Sequence, residues 1–136
     1  VLPYTAGIMD GEGTIRFRKR NKTLQYVGLE IYITNTNEWL CHWLQMHYGG
    51  SVLIKKPREE VHNIVYRWQI TDRQAHRFLE AVLPYLQLKR LHAEIAIAFC
   101  ETRGRRRRRR LTEEERAIEE AQIITMTNLN KRGKSR

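Results

Sequence analysis

Apolar residues recur along this chain with two clear periods. In Thr14-Ile15-Arg16-Phe17-Arg18-Lys19-Arg20 they alternate, so Ile15 and Phe17 point one way and Arg16, Arg18 and Arg20 the other. Asn21-Lys22 suits a turn. A second strand is predicted from Gln25 to Thr34, with Val27, Leu29, Ile31 and Ile33 toward a core and Tyr26, Gly28, Glu30 and Tyr32 opposite. Val52 to Lys56 reads as a third strand, stopped by Pro57. Asn63 to Thr71 reads as a fourth, with Tyr66, Trp68 and Ile70 on one side and Val65, Arg67 and Gln69 on the other.

Helical spacing fills the gaps. Leu2 to Asp10 is a short helix with Pro3 in its first turn, and Gly11 and Gly13 are expected to stop it. Asn35-Thr36-Asn37 offers capping side chains before a helix from Glu38 to about Tyr48, broken by Gly49-Gly50. Asp72 can cap a helix with the stripe Ala75, Phe78, Leu79, Val82 and Leu83, which Pro84 ends. Another helix is predicted from Tyr85 through Thr102. Thr112-x-x-Glu115 is a capping box opening a last helix to about Asn130, with a frayed tail from Lys131. The order is αββαββα with two further helices, an α+β chain expected to form one domain over residues 1–136. Residues 103–110 are expected to be an arginine-rich linker, and 112–130 a C-terminal helix. An antiparallel sheet covered on one side leaves the other in water. Here that open face carries Arg, Gln and Tyr.

Charge sharpens this reading. The chain has 25 Lys and Arg against 15 acids, a net charge of +10, which favours a polyanion and nucleic acid before membrane. No apolar run approaches the ~20 residues that span a bilayer, and no signal pattern opens the chain. The chain begins at Val1, so an initiator Met or short leader is expected upstream. Cys41 and Cys100 sit among helix-core residues and read as free thiols of a reducing compartment, cytoplasmic or organellar. The five histidines show no zinc spacing.

Thr5-Ala6-Gly7-Ile8-Met9-Asp10-Gly11-Glu12-Gly13 is the most specific stretch. Small residues four apart let another backbone come close, and the acids then arrive at the bottom of a tight helix pair. A paired carboxylate at a crowded seam is poor for stability and well suited to Mg²⁺. This nonapeptide resembles the LAGLIDADG signature of homing endonucleases. Ala6, Gly7, Asp10 and Gly13 match it. Thr5 departs from the usual Leu, and Glu12 stands where the family usually has its metal-binding Asp. Tyr66 to Ile70 followed by Leu83 to Arg90 also looks like the family's fourth strand and the segment after its third helix. Asn128-Leu129-Asn130-Lys131-Arg132-Gly133 resembles a frequent family ending.

The resemblance implies an αββαββα fold with a curved antiparallel DNA-binding sheet, and a Mg²⁺-dependent, site-specific double-strand DNA endonuclease. Glu12, with Gly11 beside it, falls at the metal site. Lys89 falls near the scissile phosphates, and Asn35 where a polar residue holds the water network. Asp10 reads as structural, capping or bonding backbone at the helix junction. With one signature copy, two chains must supply the central helix pair, so a homodimer follows, with Ala6, Gly7, Met9 and Asp10 at its interface. A two-fold dimer implies a partly palindromic target, and two ~27 Å strands end to end cover roughly 16–18 base pairs. Cutting across the minor groove to leave 3′ overhangs is likewise implied.

Sequence reading is assigned to Arg16, Arg18, Arg20, Tyr26, Tyr32, Lys55, Arg67 and Gln69, since Arg pairs with guanine and Gln with adenine. Glu30 on that face either accepts from cytosine or repels DNA. Phosphate clamping is assigned to Arg105, Arg106, Arg107 and Arg108. The main rival is an RNA maturase helping its host intron to splice, which would add intron RNA as a partner. A regulator that has lost its acids fits Glu12 poorly, and a generic basic RNA-binding protein leaves the signature unexplained.

Overall fold

A computed structural model describes residues 1–19, 27–55, 64–106 and 110–134. Its elements are α1 (Leu2–Glu12), β1 (Gly13–Lys19), β2 (Val27–Asn35), α2 (Glu38–Tyr48), β3 (Ser51–Lys55), β4 (Val65–Thr71), α3 (Asp72–Val82), α4 (Arg90–Arg106) and α5 (Glu113–Lys134). The strands form one antiparallel sheet in the order β1-β2-β4-β3. Period-two alternation decides its two sides. Ile15, Leu29, Ile31, Ile33, Trp68 and Ile70 are buried under the helices together with Leu44, Phe78, Leu79 and Met126. In register on the other side stand Thr14, Arg16 and Arg18 of β1, Glu30 and Tyr32 of β2, and Arg67 and Gln69 of β4.

Two corners explain their residues. Gly49 and Gly50 have φ of 77° and 88°, the left-handed side that glycine tolerates, and Trp68 Nε1 donates to Gly49 O at 2.8 Å. A Cβ on Gly50 would run into Gln69 O and the Ile70 side chain. At the other side of the sheet β1 is an edge strand, and α5 covers it. Asn130 Nδ2 donates to Ile15 O at 3.0 Å, a side-chain bond to the backbone of that edge strand.

Several boundaries differ from the sequence reading. Gly11 does not stop α1: the helix runs on to Glu12, and extended Gly13 (φ −82°) ends it, its N–H reaching Met9 O. A Cβ on Gly13 would meet Met9 at 2.6–2.9 Å, so close approach requires this glycine. Asp72 is not an N-cap. It lies inside the first turn of α3 with φ 49°, and its Oδ1 accepts Leu29 N–H from β2 at 3.2 Å. The segment from Tyr85 to Lys89 is not helical. Leu83–Tyr85 form a short 3-10 turn and α4 starts only at Arg90. α4 then continues through Arg106, so residues 103–106 are helix and not linker. α5 runs to Lys134, beyond the expected end at Asn130. The capping box is formed as expected: Thr112 N–H donates to Glu115 Oε1 at 3.0 Å and Glu115 N–H to Thr112 Oγ1 at 3.1 Å.

Both cysteines are free, and burial pushes the Cys100 thiol up to about 11. No helix among the described residues is long and apolar enough to cross a membrane.

Candidate active site and nucleic-acid face

The signature helix ends at the sheet. α1 feeds directly into β1, so Glu12 is delivered, exposed, to the edge of the open face. Its Oε2 accepts from Asn35 Nδ2 at 2.8 Å. Asn35 is the last residue of β2, and its Oδ1 accepts Asn37 N–H at 2.8 Å. Asn37, not Asn35, caps α2 by accepting Leu40 N–H at 3.3 Å. One asparagine therefore ties the β2–α2 corner to the carboxylate and fixes one of its oxygens.

Asp10 points elsewhere. Its two oxygens accept the N–H groups of Gln87, Leu88 and Lys89 at 2.9–3.0 Å. That carboxylate organises the turn before α4, much as an N-cap does. The same turn brings Lys89 Nζ to Asp10 O at 3.2 Å, beside the C-terminal end of α1. Burial lowers the Lys89 pKa from its ordinary value, with Asp10 opposing. His92, one turn further along α4, was not singled out in the sequence. Its pKa is lowered by burial and then by Lys89, and its Nδ1 is buried with no hydrogen-bond partner. Its spacing of three from Lys89, within the helix that the sequence predicts from Tyr85 to Thr102, was the available signal.

α1 presents two unlike faces. Ala6 and Met9 are fully buried in the core of their own chain, so they have no surface to offer a second chain, contrary to their assignment to the interface. Asp10 is turned toward its own chain. Gly7 lies on the uncovered face, and Gly11 with it; a Cβ on either would meet nothing within 4 Å. Thr5, the departure from the signature, is buried. Its hydroxyl donates to Val1 O at 2.9 Å and bonds Tyr48 OH at 2.6 Å, which accounts for a polar residue there.

On the open face Tyr32 is flanked by two cations, Arg67 at 3.9 Å and Arg16 at 5.0 Å from its ring centre. Gln69 stands directly across from Tyr32, and Lys55 from Val65 on the same face. Glu30 is bonded by Arg16 and Arg18 rather than left open to a ligand. Arg20, Tyr26, Arg107 and Arg108 lie outside the described residues. Arg105 is exposed, and Arg106 ends α4. Arg103, read as part of the linker, is a structural anchor. It donates to both oxygens of buried Glu119 at 3.2 and 3.3 Å and to Val27 O at 2.6 Å, over the Phe99 ring at 4.4 Å.

The end of α1 offers donor chemistry suited to a hard divalent cation. Glu12 is an exposed hard oxygen donor at the negative end of a helix, and Mg²⁺ is commonly held by one or two carboxylates with waters and substrate phosphates. No group of three or more His, Cys, Asp or Glu among the described residues could hold a metal by itself. One chain thus brings one carboxylate.

This arrangement of helices and sheet is the fold of the LAGLIDADG homing endonucleases. Among solved structures that share it is I-CvuI in complex with its target, 17% identical, covering 94% of this chain and 80% of that one with a TM-score of 0.68. The archaeal intron-encoded I-Vdi141I complexed with DNA is 14% identical over 94% of this chain and 82% of its own, TM-score 0.70. I-TnaI is 15% identical over 96% and 94%, TM-score 0.62. Against I-SmaMI bound to cleaved DNA, 20% identical with a TM-score of 0.66, the chain spans only 42% of that protein. No protein-family model and no curated protein matches the chain.

Proposed function

We propose that the protein is a site-specific DNA endonuclease of the homing type, acting as a homodimer with a divalent cation at Glu12. The observation that carries this reading is the placement of an exposed carboxylate, oriented by Asn35, where the signature helix meets a basic sheet face. Structures of the same fold were obtained with target DNA, one with Ca and one with Mg. The DNA in the Mg structure is not cleaved, so these neighbours support a divalent cation, and Mg²⁺ is our choice for its preference for carboxylate, water and phosphate oxygens.

The surface of α1 supports the dimer. This helix is apolar on nearly every side, a pattern suited to full burial, yet Gly7, Gly11 and Tyr4 face outward. Exposed Trp39 and Leu88, at 63% and 75%, add to the apolar surface that a second copy would cover. A second copy across a two-fold axis brings a second Glu12.

Each group then has a task. Mg²⁺ held by Glu12 and the Gly11 carbonyl would polarise the scissile phosphate and lower the pKa of an attacking water. Asn35 keeps the carboxylate from swinging away. Lys89, half-buried beside the end of α1, places a cation where negative charge grows on the phosphate. Arg16, Arg18, Tyr32, Lys55, Arg67 and Gln69 read bases from the open face, and Arg105 starts a run of cations that holds phosphates.

Incubating the protein with Mg²⁺ and a library of randomised duplexes, then sequencing the new ends, tests the reading. Recurrent cuts within one long, partly palindromic sequence are expected. Ends scattered at random, or none, would contradict it.

A further inference from the structure

On the reading of the sheet as a DNA face, one acid sits in the middle of it. Glu30 is 2% exposed, yet it lies on the open side, directly across from Arg16. Its Oε1 accepts from Arg16 Nε at 3.1 Å and Nη2 at 2.7 Å, and its Oε2 from Arg18 Nη1 at 3.2 Å. The arginine side chains keep 40% and 66% exposure, so the two guanidiniums lie over the carboxylate and cover it. Affinity does not account for this acid, because it repels the phosphates that the face attracts. Stability accounts for it poorly, since burying a carboxylate is costly even when paired.

Fixed geometry is what the arrangement does provide. An unrestrained arginine samples many rotamers and reaches a phosphate as readily as a base. One seated on a carboxylate holds its remaining N–H edge in one direction. Arg16 leaves Nη1 unbound to Glu30; Arg18 leaves Nε and Nη2. Tyr32 takes the other side of Arg16 and links it to Arg67, so the ordered set runs across three strands.

We infer that Glu30 is a positioning residue for sequence recognition: by seating Arg16 and Arg18 it makes them discriminate between bases, at a cost in overall affinity. The inference rests on the endonuclease reading above. It has a consequence of opposite sign for two kinds of DNA. Glu30→Gln removes a negative charge under the face, so binding to random sequence tightens while preference for the target falls.

The full-length wild type, Glu30→Gln, Glu30→Asp and Arg18→Ala are each selected against randomised duplexes, and the enriched and unselected pools are then titrated at one salt concentration. Glu30→Gln should bind the random pool about two- to fivefold more tightly. Its preference for the wild-type enriched sequence should fall about tenfold, at the base positions that Arg18→Ala also relaxes or next to them. Glu30→Asp keeps the charge but withdraws the carboxylate by one methylene. It should lose preference at those positions without tightening on random DNA. A folded Glu30→Gln with wild-type preference overturns the inference, as does an equal loss on both pools, which a merely structural role would give. If Glu30→Gln does not fold, unchanged preference in Glu30→Asp overturns it. A wild type that enriches no sequence defeats the endonuclease reading and this inference with it, whereas wild-type enrichment matched by both Glu30 variants defeats the positioning role alone.

Discussion

Lys89 shows how much one side chain's surroundings decide. Its ammonium is half-buried, so the folded chain holds that proton less firmly than the unfolded chain, whose lysine keeps the ordinary value of 10.5. Between the lowered folded pKa and 10.5 the unfolded state binds more protons, and stability from this group therefore rises with pH. Below that window the difference is a constant penalty on the fold. Lys89→Met is expected to abolish this rise: the stability of wild type relative to the variant should increase as pH climbs toward 10.5, as read by urea unfolding across that range. A pH-independent difference would mean that the ammonium is fully solvated. At neutral pH the same buried charge is what a growing negative charge on a phosphate would meet, in line with the common conflict between activity and stability.

Individual residues differ in how legible they were. Asp10 could be read from the signature, and it bonds backbone at a helix junction as expected. Ala6 and Met9 could not, because small and apolar residues of α1 serve both the chain's own core and its open face. The packing of β1, β2, α3 and the turn at Leu83–Tyr85 against one side decides which is which. Glu30 was visible as an acid on the open face, but its partners are 12 and 14 residues away in sequence, and nothing local announces that both converge on it.

At the scale of elements, the strands were the most legible, because alternation fixes which side each residue faces before any partner is known. Boundaries governed by distant contacts were not. The segment after Pro84 reads as helix by composition, yet Asp10, 77 to 79 positions earlier, captures the N–H groups of residues 87–89 and delays α4 to Arg90. The arginine run hid a difference between its members in the same way. Arg103 reaches Glu119 and Val27 O, so α4, α5 and β2 meet at one guanidinium, whereas Arg105 is exposed. Glu119 is almost fully buried, and removing its partner leaves an uncompensated charge. Arg103→Ala should cost about 3 kcal/mol in urea unfolding. Replacing both residues by apolar ones of similar size, Arg103→Met with Glu119→Leu, should cost clearly less than the single change. Equal costs would show that the pair is not the hinge of this packing.

The whole molecule is an open-faced sheet backed by helices, with one apolar helix only half covered. That uncovered strip turns the account from a single chain into a pair. Gly7→Leu places a side chain where the chain itself offers no contact within 4 Å, so the protomer should keep its fold. The same side chain would hold off a second α1. Sedimentation is expected to show wild-type dimers and Gly7→Leu monomers with unchanged circular dichroism. Dimers in both would move the interface away from α1.

Metal-assisted cutting at the end of that helix is the central claim, and Glu12→Gln probes it most directly. The amide keeps the shape of the side chain and can still bond Asn35, but it is neutral and a poor ligand for Mg²⁺. The measurement is binding and cleavage, side by side, of the duplex that wild type cuts in the randomised library, with Mg²⁺ present. The account predicts binding within about threefold of wild type and cleavage below about 1% of it. Retained cleavage in a variant that binds normally would contradict it.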